Sequence, residues 1–389
     1  MEKLRIALVG TGGMGRKYAV MLTDGSVKGA KLTAVVCRKD EAKQWARKSL
    51  PSYTNVYSSA DEMFSEPDGY DAVLIVTPHK THPELAFKAF SLGKHVFCDK
   101  PAGICVGDAK DMQAAAEKAD KLYAMMFHQR KYKKYLRIKE ILDSGDLGKL
   151  ERIMLVNSRY YRTKYYHESG SWRSSWTGEG GGALINQGQH ILDIWQWLFG
   201  MPEKIYANIP FGKYNDFKVD DEATLNMTYP GGLSAVFILT TGEAVWEERM
   251  EIVGSHGTVL MEDDKLTITI YGQDSREYGK CAKVNSRDEM TFTTTVEEYP
   301  HAVEPYVEMF ENFAAAVAGK EDLTASGQDG INVLEITNGA YLSAWKDRVV
   351  ALPIDADEYS AALDKQIAAE QETEQIKENN NTIRNLTGE

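Results

Sequence analysis

Apolar residues come in short blocks along the first third of the chain, separated by amphipathic stretches. Leu4–Val9, Leu32–Cys37, Asp71–Thr77, Lys94–Cys98 and Leu122–Phe127 are the blocks. Near-continuous apolar runs of this length fit strands covered on both faces, as in a parallel sheet. Pro83–Leu92 and Asp108–Ala119, between the blocks, have a helical period. This alternation predicts an α/β Rossmann domain over residues 1–128, a doubly wound parallel sheet of about six strands. Beyond about residue 130 the runs lengthen and alternate: Arg152–Arg159, Ala223–Thr228, Leu233–Thr240, Arg249–Val253, Thr258–Glu262 and Leu266–Tyr271. Pro230-Gly231-Gly232 and Gly254-Ser255-His256-Gly257 supply turns. An α+β domain over residues 129–357, with a large, mainly antiparallel open sheet, is expected. One face of such a sheet needs a cover, which a homo-oligomer interface provides. Val307–Gly319 and Gly330–Lys346 read as helices, the second placed to pack back on the first domain. Residues 358–389 form a polar tail in which Asn379-Asn380-Asn381 is expected to fray.

Composition narrows the class. The 389 residues are 43% hydrophobic and 26% charged, as in ordinary globular proteins. A net charge of −12 opposes non-specific nucleic-acid binding. Arg130, Lys131, Lys133 and Lys134 form a local cationic cluster that reads as a solvated helix face. No apolar run reaches the roughly 18 residues of a membrane span. Met1-Glu2-Lys3 leads straight into the first strand without a signal-peptide pattern. Cys37, Cys98, Cys105 and Cys281 lack the C-x-x-C spacing. A cytoplasmic protein with reduced thiols is expected, with no metal and no nucleic-acid or membrane partner.

Gly10-Thr11-Gly12-Gly13-Met14-Gly15 directly follows the first strand. G-x-G-x-x-G between a strand and a helix is the dinucleotide-binding fingerprint. Gly10 turns the chain off the strand, Gly12 admits a pyrophosphate to the backbone, and Gly15 lets the helix pack close. The helix N-terminus then offers unpaired N–H groups to the phosphates. An acid at the end of the second strand would hold ribose hydroxyls and favour NAD. Cys37, Arg38 and Lys39 stand there instead, which favours NADP over NAD, although Asp40 is near enough to serve a ribose.

Three further segments carry candidate chemistry. Lys100, between Asp99 and Pro101 at the end of a strand, is placed to face a nicotinamide, whereas most lysines are merely solvated. Gly180-Gly181-Gly182 leads into a segment that reads as a helix from Ala183, with Asn186 and His190 four apart on one face and Asp193 on the neighbouring edge. The glycines suggest backbone packed against a ligand; a lone helical histidine is more often structural. Tyr160, Tyr161, Tyr165, Tyr166, Trp172 and Trp176 crowd a third segment with Arg159, Arg162 and Arg173. Such aromatic faces and polar tips suit a sugar, or equally the surface of a neighbouring subunit.

Together GTGGMG, VTPHKTHPELA, CDKP, the FHQR run and GGGALINQGQHILD resemble the glucose–fructose oxidoreductase/inositol dehydrogenase (Gfo/Idh/MocA) family over about residues 4 to 354. The resemblance implies an interdomain active site and hydride exchange between a nicotinamide and a sugar or cyclitol. By position Lys100 and His190 match the family's active-site lysine and histidine, and Asp99 the acid near the nicotinamide ribose. Asn186 stands where many members have aspartate, so a carboxylate that would raise the basicity of His190 is missing; Asp193 is a candidate replacement. Thr77, Pro78, His82, Gln129, Trp172 and Arg173 complete the candidate cofactor contacts. His128, Tyr160, Tyr165, Trp176, Asn186 and Gln187 join Lys100 and His190 as candidate substrate contacts.

The resulting expectation is reversible oxidation of a secondary hydroxyl of a sugar or glycoside, at C3 by analogy. His190 is expected to be the direct base, Lys100 the proton relay and electrostatic partner, and Asn186 the group that orients a hydroxyl. The alternatives are a glycoside-cleaving enzyme with tightly bound NAD(H) cycling through transient oxidation and elimination, an inositol or sugar-nucleotide dehydrogenase, and a cofactor-binding regulator without turnover. A homodimer or homotetramer is the family's expectation.

Overall fold

The computed structural model describes residues 2–170, 172–300 and 305–387. Six strands, β1 (Leu4–Val9), β2 (Ala30–Val36), β3 (Asn55–Tyr57), β4 (Ala72–Ile75), β5 (His95–Cys98) and β6 (Tyr123–Met125), form an all-parallel sheet in the order β3-β2-β1-β4-β5-β6. Helices α1 (Gly13–Met21), α2 (Asp40–Ser49), α3 (Ala60–Phe64), α4 (His82–Ser91) and α5 (Val106–Lys118) connect them. Ala72 to Ile75 are completely buried, so the apolar blocks are strands covered on both faces. The order reverses between β1 and β4, which opens a crevice beyond their carboxyl ends.

The second sheet has nine strands: β7 (Leu150–Asn157), β8 (Lys204–Asn208), β9 (Glu222–Thr228), β10 (Ser234–Thr240), β11 (Glu248–Gly254), β12 (Gly257–Glu262), β13 (Lys265–Tyr271), β14 (Phe292–Glu298) and β15 (Val350–Ala351). Their order is β14-β13-β12-β11-β7-β10-β9-β8-β15, and only the β7–β10 pair is parallel. Ile153, Leu155, Leu225, Phe237, Met250 and Ile252 are buried on one face, and their chain neighbours are half-buried or exposed on the other. This is the period-two pattern of a sheet with one core face.

The remaining helices are α6 (Lys133–Ser144), α7 (Lys164–Glu168), α8 (Gly188–Phe199), α9 (Ser275–Cys281), α10 (Pro305–Val317), α11 (Gly327–Lys346) and α12 (Ala356–Thr387). α11 joins the two halves. Asn338 on it accepts from the Val106 amide at 2.8 Å and donates to the Ile104 carbonyl at 3.2 Å. A Cβ on Gly330 would stand 2.8 Å from that of Ala102. Among the described residues no helix is long and apolar enough to cross a membrane.

Two expectations change here. The polar tail is the long helix α12, held at its start by buried Tyr359 and Leu363. Buried Glu370 continues the attachment, accepting from the Trp176 and Thr177 amides at 3.0 and 2.9 Å. The cationic cluster is a solvated face only in part: Lys133 is exposed and Lys131 half-buried, but the other two members are not. Arg130 is buried against Asp193 and Asp329, and Lys134 is buried against Glu248. A run of cations does not reveal that carboxylates far along the chain will meet two of its members.

Candidate active site

The glycine turn sits at the end of β1. Gly10 has φ +109°, and a Cβ on it would lie 2.2 Å from the Val76 carbonyl oxygen. A Cβ on Gly15 would lie 1.9 Å from the Gly10 oxygen, so both positions require glycine. At Gly12 and Gly13 an added Cβ would meet nothing within 4 Å, and Gly12, Gly13 and Met14 are exposed. Gly12 caps α1 without a side-chain hydrogen bond, leaving first-turn amides directed outward. A bare backbone cradle at a helix N-terminus fits a dinucleotide pyrophosphate. Arg38 and Lys39 are exposed beyond buried Cys37, while Asp40 pairs with Lys43 at 3.4 Å.

Thr77 and Pro78 follow β4 and are half-buried. His82 is buried beneath them, its ring nitrogens 2.7 Å from the Thr77 carbonyl oxygen and 2.8 Å from that of Pro101. It ties the two loops together from below and has no free nitrogen for a cofactor. This corrects its assignment as a contact: both ring edges are already committed to backbone.

Lys100 follows β5. Its Nζ donates to the carbonyl oxygen of Asn186 at 2.8 Å and to Oδ1 of the same residue at 2.7 Å. Burial lowers the Lys100 ammonium to about 8; Asp99 and Glu179 pull it back up, and Arg173 and Arg162 push it further down. Asp99 accepts the Lys100 amide at 2.9 Å, and burial raises its carboxyl to about 6 against the pull of Lys100.

Asn186 lies before the helix. α8 begins at Gly188, not at Ala183, because buried Asp220 claims the preceding backbone. Its carboxylate accepts the Gly182 amide at 2.8 Å and the Leu184 amide at 2.7 Å, and its carbonyl accepts that of Ala183 at 2.8 Å. The resulting turn frees the Asn186 carbonyl for Lys100. The glycines serve the same packing: a Cβ on Gly180, Gly181 or Gly182 would strike Ile104, Tyr341 or the Asp220 carbonyl. Protein, not ligand, explains that run.

His190 and His128 meet with ring centroids 4.6 Å apart, and His128 stacks on Tyr306 at 4.1 Å. Burial lowers His190 well below the ordinary histidine range, with His128 and Lys100 adding to it. Burial likewise takes His128 to about 3, assisted by the Lys100 charge. Nδ1 of each, and Oε1 of Gln129, is buried without a hydrogen-bond partner among the described residues. Buried polar atoms are nearly always paired, so this group is suited to a ligand. Gln129 also donates to the Tyr160 hydroxyl at 3.4 Å, which brings Tyr160 to the same wall.

The aromatic segment divides. Tyr165 is 83% exposed, and Trp176 is buried among Phe211, Tyr341 and Trp345 with its Nε1 on the Lys218 carbonyl at 3.0 Å. Neither is at the site, since α7 turns Tyr165 to solvent and Trp176 is core. Tyr166 is there instead. Its hydroxyl accepts from Asn186 Nδ2 at 3.3 Å, Gln187 Nε2 at 3.0 Å and Arg173 Nη1 at 2.7 Å. Arg162 and Arg173 lie over its ring at 4.3 and 4.6 Å, and Trp172 packs edge-on against His79 at 5.2 Å. Asp193 faces Arg130, not His190, and so does not replace the missing carboxylate.

A doubly wound sheet with a glycine cradle after β1 and an amine after β5, closed by a second domain, defines a dinucleotide-binding oxidoreductase. Residues 4–127 match the oxidoreductase family with an NAD-binding Rossmann fold, and residues 135–260 match the GFO/IDH/MocA C-terminal domain. The chain belongs to the Gfo/Idh/MocA oxidoreductase family. The scyllo-inositol 2-dehydrogenase (NADP(+)) IolW of Bacillus subtilis (strain 168) is 25% identical over 309 residues, 76% of this chain and 83% of that protein. Myo-inositol 2-dehydrogenase of Thermotoga maritima is 25% identical over 358 residues, 90% of this chain and 98% of that protein. The fold is also that of the WlbA dehydrogenase from Bordetella pertussis, solved with NADH and UDP-GlcNAcA, with TM-score 0.75 at 23% identity, covering 91% of this chain and 100% of that one.

Proposed function

We propose that this protein is an NAD(P)-dependent dehydrogenase that reversibly oxidises a secondary hydroxyl of a sugar, glycoside or cyclitol, with C3 of a glycoside the first position to test. The Lys100 amine supports the reading: it follows β5 at the carboxyl edge of the parallel sheet and is held by the Asn186 carbonyl and side-chain oxygens. The bound nicotinamide supplies the carbon that accepts the hydride. With the dinucleotide bound, Gly12, Gly13 and the start of α1 would hold the phosphates, Thr77 and Pro78 would line its path, and Asp99 would serve the nicotinamide ribose.

Lys100 accepts the hydroxyl proton. An amine brought to about 8 is a usable base near neutral pH, whereas burial makes His190 a weak one. In this reading Lys100 takes the role of direct base expected of His190, and His190 orients the hydroxyl through its neutral ring. Asn186 holds the amine, and Gln187, Tyr160, Tyr166 and His128 supply the polar and aromatic surface that a ring with several hydroxyls needs. The inositol specificity of the two relatives and the sugar nucleotide in the WlbA crystal support a polyol substrate. Arg38 and Lys39 support NADP.

The test is a panel of inositols, sugars and glycosides with NAD and NADP in parallel, read by the near-ultraviolet absorbance of reduced nicotinamide. Net reduction with one substrate class is expected. Breakdown of a glycoside without added cofactor and without net reduction would instead establish cleavage through a transient oxidation.

A further inference from the structure

Glu179 is buried, faces the site and takes no part in the scheme above. We propose that it is a positioning residue: its carboxyl clamps the Asn186 amide with the carbonyl oxygen towards Lys100, and supplies from one side chain further away the negative charge that Asn186 lacks. This rests on the dehydrogenase reading and deepens it.

The two ends of a side-chain amide have nearly the same shape, so their partners decide which way it points. Asn186 Nδ2 donates to Glu179 Oε1 at 2.5 Å, and Oδ1 accepts from Lys100 Nζ at 2.7 Å. Rotated by half a turn, the amide would set its NH2 against an ammonium and its oxygen against a carboxylate. Both contacts are repulsive, so the Glu179 charge enforces the orientation that Lys100 needs. Glu179 is itself immobilised. Oε2 accepts the Ser174 amide at 2.7 Å, Arg173 Nη1 lies 3.9 Å from Oε1, and the backbone carbonyl accepts from His79 Nδ1 at 3.0 Å. A Cβ on Gly178 would lie 2.4 Å from the Trp172 carbonyl, so the turn carrying Glu179 is closely packed.

The electrostatics agree with this arrangement. Burial raises the Glu179 carboxyl to about 7; the Ser174 amide, Arg173, Asn186 and Lys100 oppose the rise. Lys100 is faced by Asp99 and Glu179, which raise it, and by Arg173 and Arg162, which lower it. The neighbouring His79, His82, His128 and His190 are all lowered, first by burial. Glu179 and Asp99 are thus the anions that sustain the Lys100 ammonium.

The experiment is competitive labelling of the Lys100 amine with acetic anhydride across pH, quantified by peptide mass spectrometry on the full-length protein without cofactor. Glu179→Gln keeps an oxygen for Asn186 and removes the charge. The labelling midpoint should fall by about half a pH unit or more, and the pH limb of turnover with it. The exchange Asn186→Asp with Glu179→Gln returns one carboxylate to the pair and should bring the midpoint back to the wild-type value or above. If Glu179→Gln does not fold, the exchanged protein decides alone, and a midpoint below wild type rejects the clamp. A folded Glu179→Gln protein with an unmoved midpoint also rejects it, since a merely structural glutamate would change turnover or stability without moving the amine. Absence of turnover in the wild type rejects the dehydrogenase reading separately.

Discussion

Arg130 grips Asp193 through two hydrogen bonds, Nε to Oδ2 at 2.8 Å and Nη2 to Oδ1 at 2.6 Å, with both side chains buried. The same guanidinium reaches Asp329 at 2.7 Å and the Thr324 carbonyl at 2.9 Å. Asp193 is therefore committed to joining the segment after β6 to α8 and α11. Asp193→Ala leaves the guanidinium buried with half its partners gone, and should cost about 3–5 kcal/mol. Denaturant unfolding measures this as a lower midpoint at unchanged slope. A loss below about 1 kcal/mol would contradict the assignment.

With Lys100 as the proposed base, turnover should follow its protonation. Alcohol oxidation needs its neutral form, so kcat/KM should rise with pH and level off above about 8. Lys100→Ala should abolish that limb and lower turnover about a hundredfold or more, with dinucleotide binding retained. Stability responds in a defined sense. Between about 8 and the ordinary lysine value of 10.5 the unfolded chain binds more protons at Lys100 than the native one. Unfolding free energies of wild type and Lys100→Met should therefore diverge in favour of wild type as pH rises through that window. Divergence in the other direction would show that the amine is not lowered.

Gly12 and Gly15 should fail in different ways. A methyl at Gly15 collides with the Gly10 carbonyl, so Gly15→Ala should lower the melting temperature and lose the cofactor together. A methyl at Gly12 meets no protein atom, so Gly12→Ala should keep its stability within about 1 kcal/mol and still weaken dinucleotide binding at least about tenfold. Calorimetric melting and binding titration separate the two. Equal binding by Gly12→Ala and wild type would move the pyrophosphate elsewhere.

Arg38 tests the cofactor preference. Its side chain is exposed just beyond the end of β2, the position at which dinucleotide folds discriminate at the 2′ oxygen. Arg38→Ala should raise KM for NADP about tenfold and leave KM for NAD nearly unchanged, the loss of one charge-assisted contact. Equal effects on both cofactors would remove the case for NADP.

Glu370 should act on the site from a distance. It holds the Trp176 and Thr177 amides and the Thr177 hydroxyl, in the segment that also presents Arg173 and Glu179. Glu370→Ala should loosen that segment at a cost of about 1–3 kcal/mol. Faster hydrogen exchange across residues 172–182 and a several-fold rise in KM for the substrate found in the panel are expected, with dinucleotide affinity unchanged. Unaltered exchange would show that α12 does not support the site.

The alternating blocks were enough to read the parallel sheet, because each strand announces its two covered faces locally. The glycine turn was equally legible, since Gly10, Gly12 and Gly15 answer to backbone geometry within one strand–turn–helix unit. Lys100, Asn186 and His190 are singled out by spacing and family resemblance; in the structure Lys100 binds Asn186 and its charge reaches His190. Glu179 is not legible in the sequence, and Tyr166 is named only as one of the aromatic segment: a glutamate between glycines and one tyrosine among several carry no periodic mark. Trp176 misled in the opposite sense, because an aromatic at a sugar wall and an aromatic in a core look alike in sequence.

By itself the sequence determined the elements whose cause lies within a few residues: apolar period, glycine turns and the alternation that winds the first domain. Only the tertiary structure decided which charges are spent and which remain. Arg130 and Asp193 are 63 residues apart, and Lys100 and Asn186 are 86 apart. Whether a buried ionic group serves stability or chemistry depends on the partner that reaches it, and that is settled only when the chain has closed on itself.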